Sequence, residues 1–160
     1  MRVVEVAVDL NRRKALKTGG GLGLLALLGA VGLIRPEAAL AEWQMSAFDA
    51  KTMNEALDAL GVVVPEDSAS IQLSAPEVAE NGAVVPVTVE SSLAHTEQIS
   101  ILVDKNPTML VSSFAIPEGT EGYLSTRIKM AQTATVIALV KANGKFYRVS
   151  REVKVTAGGC

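Results

Sequence analysis

The sequence predicts an all-β domain, an antiparallel β-sandwich of about seven strands with a short helix before it. From Ala69 onward the chain contains seven short runs rich in Val, Ile and Thr, each bounded by turn residues. No long helical pattern interrupts these runs, which favours sheets packed on one another rather than helices packed on a sheet. The runs are 69–75, 83–91, 97–104, 109–116, 122–131, 134–141 and 145–156.

The first 41 residues show the order of features that is typical of an export signal. A basic stretch precedes 16 uncharged residues, 19–34, which include six glycines. As a helix this run would extend about 24 Å, short of the ~30 Å hydrocarbon core of a membrane. Ala39 and Ala41 then form an A-x-A cleavage site, so we expect residues 1–41 to be removed and the mature chain to begin at Glu42.

The adjacent Arg12 and Arg13 in the stretch NRRKALK indicate a Tat signal, the type that exports folded proteins. Ala15 departs from the usual motif, which has a large apolar residue there, whereas Leu16 and Lys17 agree with it. A Sec signal and an uncleaved anchor are the alternatives. All three deliver the domain across a bacterial inner membrane, so we expect a periplasmic protein. After cleavage the mature form keeps no membrane segment.

The mature composition indicates one acidic domain. The remaining 119 residues suit a single core. They contain nine Lys and Arg against fourteen Asp and Glu, a net charge of −5. Because nucleic acids and anionic lipids are bound through clustered basic side chains, this balance argues against both as partners. We therefore expect one domain over 42–155 and a C-terminal tail over 156–160.

One helix is predicted over the stretch SAFDAKTMNEALDALG, capped by Ser46 and ended by Gly61. Its apolar residues fall on one face at steps of three and four, which favours packing against the core over a binding groove. They are Phe48, Met53, Ala56, Leu57 and Leu60.

Alternation within the strand runs predicts which side chains point inward. The inward sets are Val85, Val87 and Val89; Ile99, Ile101 and Val103; and Tyr147, Val149, Val153 and Val155. The run 134–140 is apolar on both faces, which indicates a central strand or a face that meets a partner. Pro86 predicts an edge strand, because proline cannot donate a ladder hydrogen bond. The pairs Asn81-Gly82 and Asn143-Gly144 predict tight hairpin turns. Asn106-Pro107 predicts the turn between the third and the fourth run.

The sequence lacks the residue patterns that several common kinds of site require. His95 is the only histidine and lies in a polar loop segment, and the sequence has no Cys-x-x-Cys, so we predict no metal site. No glycine-rich phosphate loop precedes a helix, and we predict no cofactor. The acidic residues are scattered, and pairs such as Glu66-Asp67 fall in predicted linkers, where solvated charge is the usual meaning.

The remaining candidate is Cys160, which is the only cysteine and follows Gly158 and Gly159 at the C-terminal end of the sequence. An unpaired thiol in an oxidising compartment suggests a reactive or intermolecular role. The two glycines lack Cβ, so the tail can adopt many conformations. Fully extended, residues 156–160 would span roughly 17 Å. We therefore predict that Cys160 is a covalent attachment point on a flexible arm.

These stretches together resemble the SoxY family, the sulfur carriers of bacterial thiosulfate oxidation. The resemblance rests on the leader, the short helix, APEVAENGAVVPVTVES, DKNP, RIKMA, GKFYR and the ending VKVTAGGC. It implies an immunoglobulin-like β-sandwich that pairs with a SoxZ-like subunit and carries sulfur intermediates on Cys160, with Gly158 and Gly159 in the arm.

The resemblance also implies a sequence of enzymes that act on the carrier. The cytochrome complex SoxAX couples thiosulfate to the cysteine, the hydrolase SoxB releases sulfate, and the sulfane dehydrogenase SoxCD oxidises the remaining sulfur in some systems. The carrier itself catalyses none of these steps. Family members usually end in GGCGG, whereas this sequence stops at Cys160. Either the two following glycines are missing from this copy, or the protein tolerates their loss. In the second case a terminal carboxylate on Cys160 would disfavour the thiolate.

Two other interpretations of the thiol stay open at the level of sequence. An immunoglobulin-like structural or adhesion module would use Cys160 for an intermolecular disulfide. A thiol enzyme would need a base or an electropositive pocket to activate the sulfur, and neither lies near Cys160 in the sequence.

Overall fold

The computed structural model describes residues 45–160. The helices are α1 (Met45–Asp49) and α2 (Met53–Ala59). The strands are β1 (Glu66–Asp67), β2 (Ile71–Ser74), β3 (Val78–Ala79), β4 (Val85–Ser91), β5 (Thr96–Val103), β6 (Leu110–Ala115), β7 (Gly122–Ile128), β8 (Ala134–Ala142) and β9 (Lys145–Val155). The seven runs predicted from the sequence are confirmed as β2 and β4–β9. The two-residue strands β1 and β3 are additional.

Two sheets face each other across the main core. The larger sheet has the strand order β1-β9-β8-β5-β6, with β3 also paired to β9, and the smaller sheet has the order β2-β4-β7. The long strands pair antiparallel, whereas β1 and β3 run parallel to β9. The predicted β-sandwich is confirmed, and β9 is the strand that holds the short parallel additions.

The predicted inward faces are confirmed by burial. Val85, Val87 and Val89 of β4 are at most 1% exposed, and they pack against the buried Ile99 and Ile101 of β5. At about 25 cal/mol per Å² of apolar surface, each such side chain contributes on the order of 1.5–3 kcal/mol when it is fully buried. This core fixes the register of the strands that lead to the C-terminal tail.

Strand β8 is a central strand that is covered on both sides. Val136 and Val140 point into the core between the sheets, whereas Leu139 packs with α1 and α2 on the opposite face. Leu102 and Leu110 complete this second cluster. The doubly apolar pattern of 134–140 therefore reflects a third layer made by this chain's own helices.

The single helix predicted over the segment that begins at Ser46 is wrong in two respects. The structure has two short helices, and Ser46 lies inside α1 rather than capping it. Thr52 has an extended backbone, and its hydroxyl accepts a hydrogen bond from the Glu55 N–H while the Glu55 carboxylate accepts one from the Thr52 N–H. This capping box starts a new helix and interrupts the old one. The predicted end is confirmed, since Gly61 follows the last turn with a φ of 73°.

The edge position predicted from Pro86 is also wrong, because β4 is the middle strand of the smaller sheet. Pro86 is opposite Arg127 of β7. On the other side β2 ends at Ser74, which is opposite Thr88, so the β2–β4 ladder stops before it reaches the proline. A short neighbouring strand therefore accommodates the missing donor.

Asn81-Gly82 does not form the predicted tight hairpin. The connection between β2 and β4 is longer and contains β3. Asn143-Gly144 does form one, with φ values of 51° and 71° between β8 and β9. In the described part of the chain, no helix is long and apolar enough to cross a membrane.

Candidate functional site

The candidate site is the C-terminal tail, which continues directly from β9. The ladder of β9 with β8 reaches Val153, and β3 pairs with Lys154 and Val155. Cys160 follows five residues after the strand and is exposed with a free thiol. The sheet thus delivers the thiol to one end of the sandwich and leaves its sulfur accessible.

The tail is docked on the domain as far as Gly159. The Thr156 N–H donates to the Ala79 carbonyl at 3.1 Å, and the Gly82 N–H donates to the Ala157 carbonyl at 2.7 Å. The Gly159 N–H donates to the Met130 carbonyl at 3.0 Å.

Side-chain contacts add to this docking. The Thr156 hydroxyl donates to the Glu80 carbonyl at 3.1 Å. The structure therefore shows residues 156–159 docked against the domain. The swinging motion that we predicted for 156–160 stays a prediction.

Gly158 and Gly159 lie where the tail passes closest to the rest of the chain. A Cβ on Gly158 would overlap the Ala131 carbonyl, and a Cβ on Gly159 would overlap the backbone of Ala83. Neither glycine has a left-handed φ. In this conformation glycine is required by the lack of space rather than by the backbone angles.

Two buried residues complete the site, and the sequence had not indicated that either belongs to it. Gly82 is buried, and a Cβ there would overlap the Met130 carbonyl. Asn106 is 9% exposed; its amide donates to the Lys129 carbonyl at 2.8 Å and its carbonyl accepts from the Ala131 N–H at 3.0 Å. Asn-Gly and Asn-Pro pairs predicted only turns at these positions, so no sequence signal indicated contact with the tail.

The charged residues with shifted pKa values lie away from the thiol. Arg148 donates to Asp67 at 2.8 Å, and this hydrogen bond with the charge of Arg148 lowers the pKa of Asp67. Glu66 and Asp67, predicted to lie in a linker, instead form β1 beside β9. The ion pair therefore joins a short strand to the sheet rather than forming part of a reactive site.

The other predicted positions are not brought to the tail. His95 is exposed in the turn between β4 and β5, at the opposite end of the sandwich from Cys160. Among residues 45–160, no group of three or more His, Cys, Asp or Glu side chains is arranged to hold a metal ion. Arg12, Arg13, Ala39 and Ala41, and with them the predicted signal and its cleavage site, lie outside the described residues.

Comparisons with known proteins agree with this geometry. The family model described as "Sulfur oxidation protein SoxY" matches residues 57–160, more than half of the chain and all of the tail. No curated protein sequence matches significantly.

Two solved structures are similar. The sulfur carrier protein SoxY from Chlorobium limicola f thiosulfatophilum is 41% identical with a TM-score of 0.58, and the match covers 64% of this chain and 94% of that one. The superoxide reductase (neelaredoxin) from Ignicoccus hospitalis is 15% identical with a TM-score of 0.45, over 66% of this chain and 94% of that one; a likeness this weak carries no inference. The family model and the Chlorobium structure agree, and this chain therefore belongs to the SoxY family of sulfur-oxidation proteins.

Proposed function

We propose that this protein is a periplasmic sulfur carrier that holds thiosulfate-derived sulfur covalently on Cys160 and presents it to other enzymes. The observation that carries the proposal is the position of the thiol. Cys160 is free and exposed at the end of a tail that leaves the last strand of a rigid sheet. A thiol on a tail can enter the active site of another protein once the tail extends, whereas a thiol on a strand cannot.

The proposed loading step forms one sulfur–sulfur bond. The Cys160 sulfur joins the outer sulfur of thiosulfate, the thiol proton is released, and two electrons pass to the cytochrome partner, a SoxAX-like complex. The product is a cysteine S-thiosulfonate. Its terminal S–SO₃ bond is then cleaved with water by a SoxB-like hydrolase, which releases hydrogensulfate and leaves a persulfide on Cys160.

In this scheme the protein is a carrier and not an enzyme, and no cofactor is needed on this chain. Its physical contribution is covalent retention. A tethered intermediate meets each docked enzyme at an effective concentration set by the length of the arm, and it does not diffuse away between steps. The proposal includes a SoxZ-like subunit as the stable partner and SoxCD as a further enzyme where sulfane sulfur is oxidised.

The test is the variant Cys160→Ser in cells that grow on thiosulfate. We expect the variant to fold normally, since Cys160 is exposed and absent from both core clusters. We expect it to abolish thiosulfate-dependent sulfate production. The double variant Cys160→Ser with Ser150→Cys is the matched control, because it keeps one exposed thiol but moves it to the surface of β9.

Two outcomes would contradict the proposal. Sulfate production by Cys160→Ser would show that the thiol is not the attachment point. Full activity of the Ser150→Cys control would show that the arm is not needed.

A further inference from the structure

The tail lies against two loops of its own domain, residues 79–83 and 129–131, which we call the arm seat. We propose that the arm seat holds the carrier arm in a docked resting position, from which the arm must be released to reach an enzyme. This role rests on the proposed function of Cys160. The docking itself rests on the hydrogen bonds and close contacts of residues 156–159.

The contacts between arm and seat involve mainly backbone groups. Gly82 donates to Ala157, and Gly159 donates to Met130. Gly82 and Met130 are also joined to each other, because the Met130 N–H donates to the Gly82 carbonyl at 2.8 Å. Arm and seat therefore form one hydrogen-bonded unit in which each loop contacts both the tail and the other loop.

Glycines occur on both sides of this contact. A Cβ on Gly82 would lie 2.9 Å from both the Ala157 carbonyl oxygen and the Gly159 nitrogen, besides overlapping Met130. A Cβ on Gly158 or Gly159 would overlap the seat from the other side. Three glycines that exclude side chains from one contact indicate a fitted surface, which a tail that only swings in solvent would not need.

Asn106 is the positioning residue of the arm seat. Its side chain bonds to both Lys129 and Ala131 and so holds the residue between them, Met130, whose carbonyl accepts the Gly159 N–H. Asn106 itself is buried beside the end of β5. Asn106 thus fixes the seat to the larger sheet through contacts that do not involve the arm.

Docking limits how far the thiol reaches. With residues 156–159 seated, the arm cannot extend away from the domain, whereas the released arm spans roughly 17 Å. If only the released form enters an enzyme, the apparent affinity of that enzyme is reduced by the released fraction. The glycines therefore serve two states of the arm, by fitting the seat and by permitting extension.

The variant Gly159→Ala tests this inference, because a free arm and a docked arm predict opposite changes in the mobility of the arm backbone. In a free tail, alanine in place of glycine restricts the backbone and lowers its mobility. In a docked tail it prevents seating and raises mobility. The measurement is ¹⁵N relaxation of the arm amides in the purified protein with reduced Cys160.

In the wild type we expect order parameters near 0.85 at positions 158 and 159, the value of rigid backbone. In Gly159→Ala we expect the order parameters at the same two positions to fall below 0.6. Since the substitution lies outside both core clusters, the sandwich stays folded when the arm leaves. Wild-type values below 0.6, or a rise in the variant, would overturn the inference.

Gly82→Ala tests the same contact from the seat without changing the arm. We expect it to release the arm and to lower the order parameters of Gly158 and Gly159 below 0.6. Gly119→Ala is the matched control, because Gly119 lies in a turn at the other end of the sandwich, where a Cβ meets nothing within 4 Å. A rigid arm in folded Gly82→Ala, or an equal loss of order in Gly119→Ala, would contradict the proposal.

These measurements separate the arm seat from the proposed function. Order parameters are read on the reduced protein and need no sulfur chemistry. A rigid, releasable arm in a protein whose Cys160→Ser variant still supports thiosulfate oxidation would leave the seat correct and refute the carrier. A mobile wild-type arm with an inactive Cys160→Ser variant would refute the arm seat and leave the carrier function correct.

Discussion

The two Asn-Gly pairs of the described chain occupy opposite ends of strand β9 and use glycine for different reasons. Asn143 and Gly144 both have left-handed φ angles and close the β8–β9 hairpin. Gly82 is buried without a left-handed φ, and its missing side chain makes room for Met130 and Ala157. One glycine is needed for its backbone angle and the other for its volume.

The difference shows why the same dipeptide has different consequences at the two ends. At the hairpin end the turn is a local structure, and its backbone conformation is determined by two neighbouring residues. At the tail end Gly82 meets residues 48 and 75 positions further along the chain, Met130 and Ala157. A local pattern specifies the first arrangement and says nothing about the second.

The largest expected effect on stability is that of Gly82→Ala. The new Cβ would overlap the Met130 carbonyl, which is backbone and cannot turn away. We expect the free energy of unfolding to fall by roughly 2–3 kcal/mol, the upper part of the range for overpacking. Urea denaturation of the purified domain measures this change. A loss no greater than that of Gly144→Ala would remove the distinction between the two glycines.

Asn106→Ala is expected to lower the free energy of unfolding by about 2 kcal/mol. It removes two hydrogen bonds and leaves the partially buried Ala131 N–H without its partner. Since Asn106 braces only the tail end, amide hydrogen exchange should accelerate at Ala131 and Gly159 and stay unchanged at Gly144. Acceleration spread equally over both ends would show that Asn106 supports the whole sandwich rather than the arm seat.

Gly144→Ala is expected to cost about 1 kcal/mol, the penalty of a left-handed conformation for a residue with a Cβ. No atom would clash with the added methyl group. The same denaturation experiment measures the loss, and Gly144→Asn should restore part of the stability, because asparagine tolerates this region. Equal losses for alanine and asparagine would argue against a purely conformational cause.

The smallest expected effect is the pH dependence of stability that Glu97 contributes at the hairpin end. The N–H of Gly144, and secondarily Lys141, lower the pKa of Glu97 from its ordinary value of 4.5. Because the pKa is depressed in the folded state, the stabilisation is fully present above about pH 4.5 and is lost as the pH falls through the folded-state pKa. Glu97→Gln should flatten this dependence in thermal melts between pH 6 and 3, and an unchanged slope would contradict it.

Most of the fold could be predicted from the sequence because it depends on local periodicity. Alternating valines in β4 and isoleucines in β5 indicated the core, and Asn143-Gly144 indicated the hairpin. The helix break was missed because the apolar spacing continues across Thr52, while the capping box acts through hydrogen bonds to Glu55. Pro86 was assigned to an edge because its pattern does not reveal how early β2 ends.

The candidate site was predictable only in part. Cys160 and its two glycines could be identified from composition and position. The seat could not, because backbone carbonyls and N–H groups make most of its contacts, and these groups are the same in every residue. Asn106 was interpreted as a turn residue before Pro107, since nothing nearby in the sequence shows that its amide reaches residues 129 and 131.

Intact-mass spectrometry without reductant, on the protein isolated from cells grown on thiosulfate, is the direct test of the carrier function. We expect mass additions that correspond to sulfur or thiosulfate fragments, that map to Cys160 and that disappear on reduction. A disulfide-linked dimer without such additions would instead support a structural module. A chain that never acquires sulfur under these conditions would contradict the carrier function.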